Sequence, residues 1–240
     1  MNRIPTEQEL ELLILDTLST LGWSTAHGPD IAPESRQPER QDYREVVLQD
    51  RLAQSIGRLN PELHEDSVAE VVRMVVAPES QSPMQENWRA YRLLTQGVPL
   101  ETRTADGSPR SLRARLVDFE NVAANDLLAV NQFRVQGPQR DRRPDIVLFV
   151  NGLPLVLLEL KRAGAQGASL RGAYNQICTY VRDIPDLFTW NQICAISDGI
   201  NARAGQFLRP MGALRAVEDR RRHPRVVGDP SVRRVDPRDA

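Results

Sequence analysis

The chain has 240 residues, of which 40% are hydrophobic and 26% are charged. These values are typical of a globular protein with one large domain or two small ones, and they exclude collagen, coiled coil and disorder throughout. No apolar run approaches the roughly 18 residues that a membrane span needs, and the first residues, MNRIPTEQEL, lack the apolar core of a signal peptide. We therefore expect a cytoplasmic protein without a membrane partner.

Basic and sulfur-containing residues narrow the function classes. The chain contains 31 lysine and arginine residues, and the single lysine among them, Lys161, marks a position where a compact ammonium serves better than a guanidinium. Lys161 follows Leu160, whereas the phosphate-binding loop G-x-x-x-x-G-K-[ST] requires a lysine after glycine, so no ATP site of this class is present in the printed chain. Cys178 and Cys194 are too few for a disulfide framework and lack zinc-ligand spacing.

The first 96 residues are predicted to be rich in helix. Thr6 and Glu9 form a capping box at the start of a helix over residues 6–21, with Leu10, Leu13, Ile14, Leu18 and Leu21 on one face, and Gly22 ends it. Residues 24–40 contain three prolines and no apolar period, which predicts an exposed loop. A second helix is predicted from the spacing of the apolar residues Val46, Val47, Leu52 and Ile56, with Gly57 at its end. Further helices are predicted around residues 67–76 and 84–94.

After Gly97 the apolar period changes to two, behind a predicted turn at residues 105–107. We expect strands near residues 112–116 and at 127–135, 145–150, 153–160 and 192–196, and a helix at 169–182. The strands DIVLFV and LPLVLLEL are apolar on both faces, as in the centre of a sheet covered by helices on each side. The fold class is therefore α/β, with a sheet core over residues 97–205. Residues 206–240, rich in Arg, Pro and Asp, are expected to form a disordered tail.

Three charged residues interrupt these apolar strands. Asp145 opens one strand, and Glu159 and Lys161 alternate at the end of the next, so the last two project to the same face. A plain two-residue turn between the strands would leave Asp145 on the face opposite Glu159. One extra loop residue or a β-bulge would instead pair Asp145 with Glu159. We therefore predict a three-residue turn or a bulge.

The same three residues suggest a metal site. Buried carboxylates are costly unless they bind a cation, and oxygen ligands select a hard ion such as Mg²⁺, which binds through one or two carboxylates plus substrate phosphate. Such an ion would promote phosphodiester hydrolysis, and Lys161 would orient water or neutralise developing charge. The alternative is purely structural: a salt bridge between Glu159 and Lys161 at a strand end, with Asp145 capping a turn.

The segment RRPDIVLFVNGLPLVLLELK, residues 142–161, resembles the nuclease core of the R (restriction) subunit of type I restriction-modification enzymes, within the PD-(D/E)xK nuclease superfamily. The resemblance covers about residues 6–205. It includes a leading helix that ends in Leu-Gly-Trp, then NDLLAVNQF, AYNQICTY with a Gln-x-x-x-Tyr signature, and IPDLFTWNQICAISDG. The resemblance implies a restriction-endonuclease-like fold, in which a mixed central sheet is flanked by helices, and a Mg²⁺-dependent DNA endonuclease activity.

The resemblance also implies roles for particular residues. Asp145 and Glu159 would be the metal ligands, and Lys161 would be the catalytic lysine. Gln176 and Tyr180, one helical turn apart, would support the active site or contact DNA. On spacing alone, Tyr180 is equally well explained as a core aromatic residue.

Two arginines before the catalytic strand, Arg142 and Arg143, are candidate phosphate contacts, because guanidinium groups match phosphate geometry. The alternative is an ordinary charged loop.

The resemblance implies double-stranded DNA and the modification and specificity subunits of a type I complex as partners. The family continues into an ATP-dependent translocase, whereas the printed chain changes composition soon after the nuclease region, which suggests a frameshift or truncation. Two alternatives remain: a catalytically silent remnant that binds DNA or subunits, and a stand-alone repair or junction nuclease of the same superfamily.

Overall fold

The structure is a computed structural model that describes residues 5–103, 109–162, 170–206 and 215–216. Within these ranges the α-helices are α1 (Glu7–Thr20), α2 (Gln49–Leu59), α3 (Glu65–Val76), α4 (Pro83–Gln96), α5 (Leu170–Asp183) and α6 (Leu187–Trp190). The strands are β1 (Ser24–His27), β2 (Val98–Arg103), β3 (Pro109–Ala114), β4 (Leu127–Asn131), β5 (Val135–Gln136), β6 (Asp141–Arg142), β7 (Ile146–Val150), β8 (Leu153–Leu160), β9 (Ile193–Ser197), β10 (Ala202–Gly205) and β11 (Arg215–Ala216).

A mixed sheet of seven strands organises the described residues, in the order β1-β4-β7-β8-β9-β10-β11. The pairs β1–β4 and β8–β9 are parallel, and the other neighbours are antiparallel. Two separate hairpins, β2–β3 and β5–β6, lie outside this sheet. The α/β class and the mixed central sheet flanked by helices are confirmed.

Each face of the sheet has its own apolar cluster, which explains why β7 and β8 are apolar on both faces. Helix α1 covers one face, where Leu10 packs with Ile146, Leu148 and Leu160. Residues of α2 to α6 and of the β2–β3 hairpin share the larger cluster on the other face with Val147, Phe149 and Leu157. Among the described residues, no helix is long and apolar enough to cross a membrane.

Helix α1 begins as predicted, because the Thr6 hydroxyl accepts a hydrogen bond from the Glu9 backbone and the Glu9 carboxylate accepts one from the Thr6 backbone. Its predicted apolar face is partly wrong, since Leu13 and Leu21 are exposed. The inward face includes Leu10, Ile14, Leu15 and Leu18 instead.

The prediction of an exposed loop over residues 24–40 is wrong for residues 24–31, whereas residues 33–39 have no regular structure and are exposed or partly exposed. Residues Ser24–His27 form β1, which pairs with β4 at the edge of the sheet, and Gly28–Ile31 form a short 3-10 helix. This strand has only four residues and no buried side chain, so it is held mainly by hydrogen bonds to β4. Its sequence therefore lacks the alternation of apolar and polar residues by which a strand is predicted. Arg40, at the end of the segment, is buried.

The predicted position of the second helix is also wrong. Val46 and Val47 are buried but precede α2, which begins at Gln49 and continues past Gly57 to Leu59. A single glycine is tolerated inside a helix. Asn60 caps the C-terminal end of the helix, and its side-chain amide donates to the Ile56 carbonyl at 2.8 Å.

The helices predicted around residues 67–76, 84–94 and 169–182 are confirmed as α3, α4 and α5. The strand predicted over residues 127–135 is interrupted at Gln132, where φ is +56°, so that β4 and β5 are separate strands in separate sheets. The turn predicted at residues 105–107 lies outside the described residues, as does nearly all of the predicted tail at 206–240.

The turn between β7 and β8 fits closely against the start of α2. Gly152 has φ of +79°, and a Cβ atom there would lie 2.4 Å from the carbonyl oxygen of Leu48. The Gly152 carbonyl in turn accepts a hydrogen bond from the Leu48 backbone at 2.9 Å. Only glycine satisfies both the left-handed backbone and this close approach.

We expect Gly152→Ala to lower the free energy of unfolding by about 2 kcal/mol or more, through backbone strain and the clash with Leu48. The matched control is Gly57→Ala inside α2, where a Cβ atom would meet nothing within 4 Å. That change should raise stability by about 0.5 to 1 kcal/mol. Urea unfolding followed by circular dichroism measures both, and equal effects would contradict the close fit.

Candidate active site

A β-bulge brings the predicted site together. The turn itself has two residues, since Val150 pairs with Leu153, but the register shifts between Leu148 and Phe149 and leaves Leu155 without a partner on β7. Beyond the bulge Ile146 pairs with Leu158, so the preceding Asp145 lies beside Glu159. The prediction of a bulge is confirmed.

Hydrogen bonds hold the three charged residues at the end of β8. The ammonium nitrogen Nζ of Lys161 donates to Oε1 of Glu159 at 2.9 Å. The carboxylate oxygen Oδ2 of Asp145 accepts the backbone N–H of Leu160, between the other two, at 2.7 Å. The Lys161 backbone donates to the Ser197 carbonyl at 2.9 Å, which fixes the end of β8 against β9. The two carboxylates and the ammonium therefore share one small site where β8 ends.

The carboxylate of Glu159 is the most deeply buried group of the site. Its side chain is fully buried, and its second oxygen, Oε2, has no hydrogen-bond partner among the described residues. An unsatisfied buried acceptor costs about 1 to 3 kcal/mol, more for a charged group. This oxygen is unfavourable in a purely structural salt bridge, and it is suited to a cation ligand.

A hard divalent cation fits this donor set. Asp145 and Glu159 offer carboxylate oxygens, and Mg²⁺ commonly binds to one or two carboxylates and completes its shell with water and substrate phosphate. Within the described ranges, no group of three or more His, Cys, Asp and Glu side chains is placed to hold a metal. Water and substrate oxygens would therefore supply most of the ligands.

Burial and nearby negative charges raise the pKa of both carboxyl groups. Burial and, to a smaller extent, the nearby charge of Asp145 raise the pKa of Glu159 to about 7, against the opposing effect of Lys161. Burial likewise raises the pKa of Asp145 to about 6, against the Leu160 hydrogen bond and the charge of Lys161. For Lys161, burial lowers the pKa, but Glu159 and Asp145 more than offset it, so the pKa is raised overall. The lysine stays protonated where the carboxyls titrate.

These shifts predict a pH-dependent stability. Because the folded pKa values exceed the unfolded ones, the two carboxyls stabilise the metal-free protein below about pH 4, and this contribution is lost as the pH rises through 6 and 7. We expect the free energy of unfolding in EDTA to fall by on the order of 2 kcal/mol between pH 5 and pH 8. Mg²⁺ should restore stability at pH 8, because binding favours the ionised carboxylates.

The variant Glu159→Gln should lose most of this dependence, since its side chain does not titrate. The matched control is Glu70→Gln, at an exposed position on α3, which should behave as the wild type does. Urea unfolding at both pH values, with EDTA or Mg²⁺, gives the measurement. A wild-type stability that is unchanged by pH and by Mg²⁺ would contradict the site.

The Gln-x-x-x-Tyr pair lies beside the same carboxylate. Gln176 donates from its side-chain amide to the Tyr180 hydroxyl at 2.7 Å, and that hydroxyl donates to the Arg143 carbonyl at 3.4 Å. Tyr180 also lowers the pKa of Glu159 slightly, whereas burial and the charge of Glu159 raise its own pKa. Tyr180 is therefore both a core aromatic residue, 3% exposed, and a neighbour of the site.

The two candidate phosphate contacts, Arg142 and Arg143, have different surroundings. The guanidinium of Arg142 is occupied, because its Nε donates to the Asp183 carboxylate at 2.8 Å and its Nη2 forms a second bond to it. Arg143 is exposed, and its side chain forms no ion pair or hydrogen bond with the described residues. Only Arg143 is available for a phosphate without a partner being displaced.

Sequence reasoning missed an acidic group from α1. Glu11 is 7% exposed, and its charge contributes to the raised pKa of Asp145. Its carboxylate accepts from the amides of Asn131 at 3.3 Å and Gln132 at 3.1 Å. The sequence shows a glutamate next to the buried Leu10 and a polar pair, Asn131 and Gln132, near the end of NDLLAVNQF. Only the packing of α1 against the sheet shows that Glu11 meets this pair.

Comparison with known proteins identifies the family. Residues 4–211 match the family described as type I restriction enzyme R protein N terminus. The chain belongs to this family. The prediction made from the hairpin and the Gln-x-x-x-Tyr signature is thereby confirmed, over nearly the same residues.

Individual relatives agree with this assignment. The type I restriction enzyme HindI endonuclease subunit of Haemophilus influenzae is 39% identical over 200 residues, which are 83% of this chain and 19% of the relative. The putative type I restriction enzyme MjaIXP endonuclease subunit of Methanocaldococcus jannaschii is 33% identical over 199 residues, which are 82% of this chain and 19% of the relative. The chain thus spans about a fifth of the length of these relatives.

Proposed function

We propose that this chain is the endonuclease region of a type I restriction enzyme R subunit and hydrolyses DNA phosphodiester bonds with Mg²⁺. The observation that carries the proposal is the bulged hairpin, which sets Asp145 beside Glu159 and leaves a buried Glu159 oxygen without a partner. Relatives named as endonuclease subunits support the reaction class. The substrate is double-stranded DNA, and the modification and specificity subunits are the proposed protein partners.

In this proposal Asp145 and Glu159 hold the metal ion. When bound, Mg²⁺ would polarise the scissile phosphate and make a water molecule more acidic. The Leu160 backbone orients the carboxylate of Asp145, and Lys161 orients that of Glu159 through its 2.9 Å hydrogen bond. Both ligands are therefore held in place before substrate arrives, which reduces the reorganisation needed for catalysis.

Lys161 is the proposed catalytic lysine. Its ammonium stays charged because the adjacent carboxylates hold its pKa above the usual range. Its side chain is 16% exposed, so the group reaches the edge of the site and is not sealed inside it. From there it can donate a hydrogen bond to the attacking water or to a phosphate oxygen that gains negative charge.

Gln176, Tyr180 and Glu11 complete the surroundings in this proposal. Tyr180 packs against Glu159 and is itself held by Gln176, so this pair supports the orientation of the metal ligand. Glu11 adds negative charge on the α1 side, where it would favour the cation or a water bound to it.

Conversion of supercoiled plasmid to nicked or linear DNA tests the proposal. We expect the wild type to cut with Mg²⁺ and to be inactive with EDTA, and Lys161→Ala and Glu159→Gln to lose at least about 100-fold in rate. Glu70→Gln, at an exposed position on α3, is the matched control and should retain full activity. Lys161→Arg keeps the charge but changes the shape of the group, and it should remain strongly impaired.

The same assay separates the alternatives. Folded wild-type protein that cuts no DNA with Mg²⁺ or Mn²⁺ would overturn the proposal and favour a silent remnant that binds DNA or subunits. Faster cutting of branched than of linear DNA would favour a repair or junction nuclease.

A further inference from the structure

A groove of about 780 Å³ lies beside the candidate active site, between the region around β6 and helix α5. One wall carries charged groups, including Arg134, Asp141 and Arg143, and the other is a face of α5. Tyr180 lines the groove and also neighbours Glu159, so this side chain lies between the groove and a proposed metal ligand. The groove therefore adjoins the site through Tyr180, although Asp145, Glu159 and Lys161 are not among its described lining residues.

Among the described residues that line the groove, one cationic side chain has no carboxylate partner. Arg134 is paired with Asp141, and Arg142 is paired with Asp183. Arg143 lines the same groove, is exposed and has no carboxylate partner among the described residues. An arginine fork that is not satisfied within the protein is suited to the paired oxygens of a phosphate.

The helical wall has the opposite character. Asn175 and Gln176 lie three and four residues after Gly172, and Thr179 lies four and three residues after them, so the four residues share a face of α5. None of them is charged. The exposed side-chain amide of Asn175 forms no hydrogen bond with the described residues and can donate to a phosphate oxygen.

We propose that this groove binds the sugar–phosphate backbone of DNA next to the scissile bond, with Arg143 on one phosphate and Asn175 facing it from α5. The inference rests on the proposed function only for the identity of the substrate. Contacts of this kind position the strand and carry no sequence information. They would hold DNA of any sequence across Asp145, Glu159 and Lys161.

Binding can be measured without cleavage. Lys161→Ala protein is titrated into a labelled 25-base-pair duplex at several salt concentrations, with Ca²⁺ in place of Mg²⁺. Fluorescence anisotropy of the duplex measures binding. In this background Arg143→Ala should weaken binding about tenfold. It should also reduce the slope of log affinity against log salt by about one, because one phosphate contact is lost. Arg143→Lys should restore the salt slope.

Two further variants sharpen the comparison. Asn175→Asp places a carboxylate opposite Arg143 and should weaken binding at least as much as Arg143→Ala, through repulsion of phosphate. Arg92→Ala removes an exposed arginine from α4, outside the groove, and should leave the affinity and the salt slope unchanged. Circular dichroism and thermal unfolding establish that each variant is folded.

The outcomes distinguish the groove from the proposed reaction. The groove proposal would be overturned if the Arg143→Ala and Asn175→Asp variants bound duplex as tightly as Lys161→Ala protein does. This holds even if the wild type cuts plasmid. Wild-type protein that binds through Arg143 but never cuts would retain the groove and overturn the enzymatic proposal. Competition by a free mononucleotide as strong as that by duplex would identify a small-ligand pocket and would also overturn the groove proposal.

Discussion

A single extra residue in the β7–β8 hairpin decides where the charged groups of this protein lie. Side chains alternate along a strand, so a regular two-residue hairpin would place Asp145 and Glu159 on opposite faces. The bulge at Leu155 restores the match and places both carboxylates beside Lys161. The apolar residues before and after the bulge still point into the two cores. The hairpin therefore packs as the centre of the sheet and carries a polar site at one end.

The end of the hairpin away from the site is held rigidly. Asn151, fully buried in the turn, donates to the Leu116 carbonyl and to the Asn125 side chain, each at 2.8 Å. Gly152 accepts from Leu48 at the start of α2. These contacts fix the turn, so the register set by the bulge extends to Asp145 and Glu159.

Elements distant in sequence surround this hairpin end with complementary groups. Helix α1 brings Glu11 towards Asp145, and α5 brings Tyr180 against Glu159. The segment before β7 exposes Arg143 at the groove while Asp183 neutralises Arg142. Negative charge is thus concentrated where a cation would bind, and the available positive charge lies where the phosphate backbone would pass. This separation would suit the proposed nuclease reaction, because DNA would have to be attracted to a site whose proposed metal ligands are acidic.

The sequence by itself determined the helices α1, α3, α4 and α5, the central strands and the three charged residues of the hairpin, because each has a local period or spacing. It also indicated the bulge, since without one the carboxylates could not meet. Tertiary structure alone decided the rest. The edge strand β1 depends on hydrogen bonds from β4, Glu11 approaches Asp145 only through the packing of α1, and Arg142 differs from Arg143 only because Asp183 is near. Such contacts join residues far apart in the chain, and no local pattern records them.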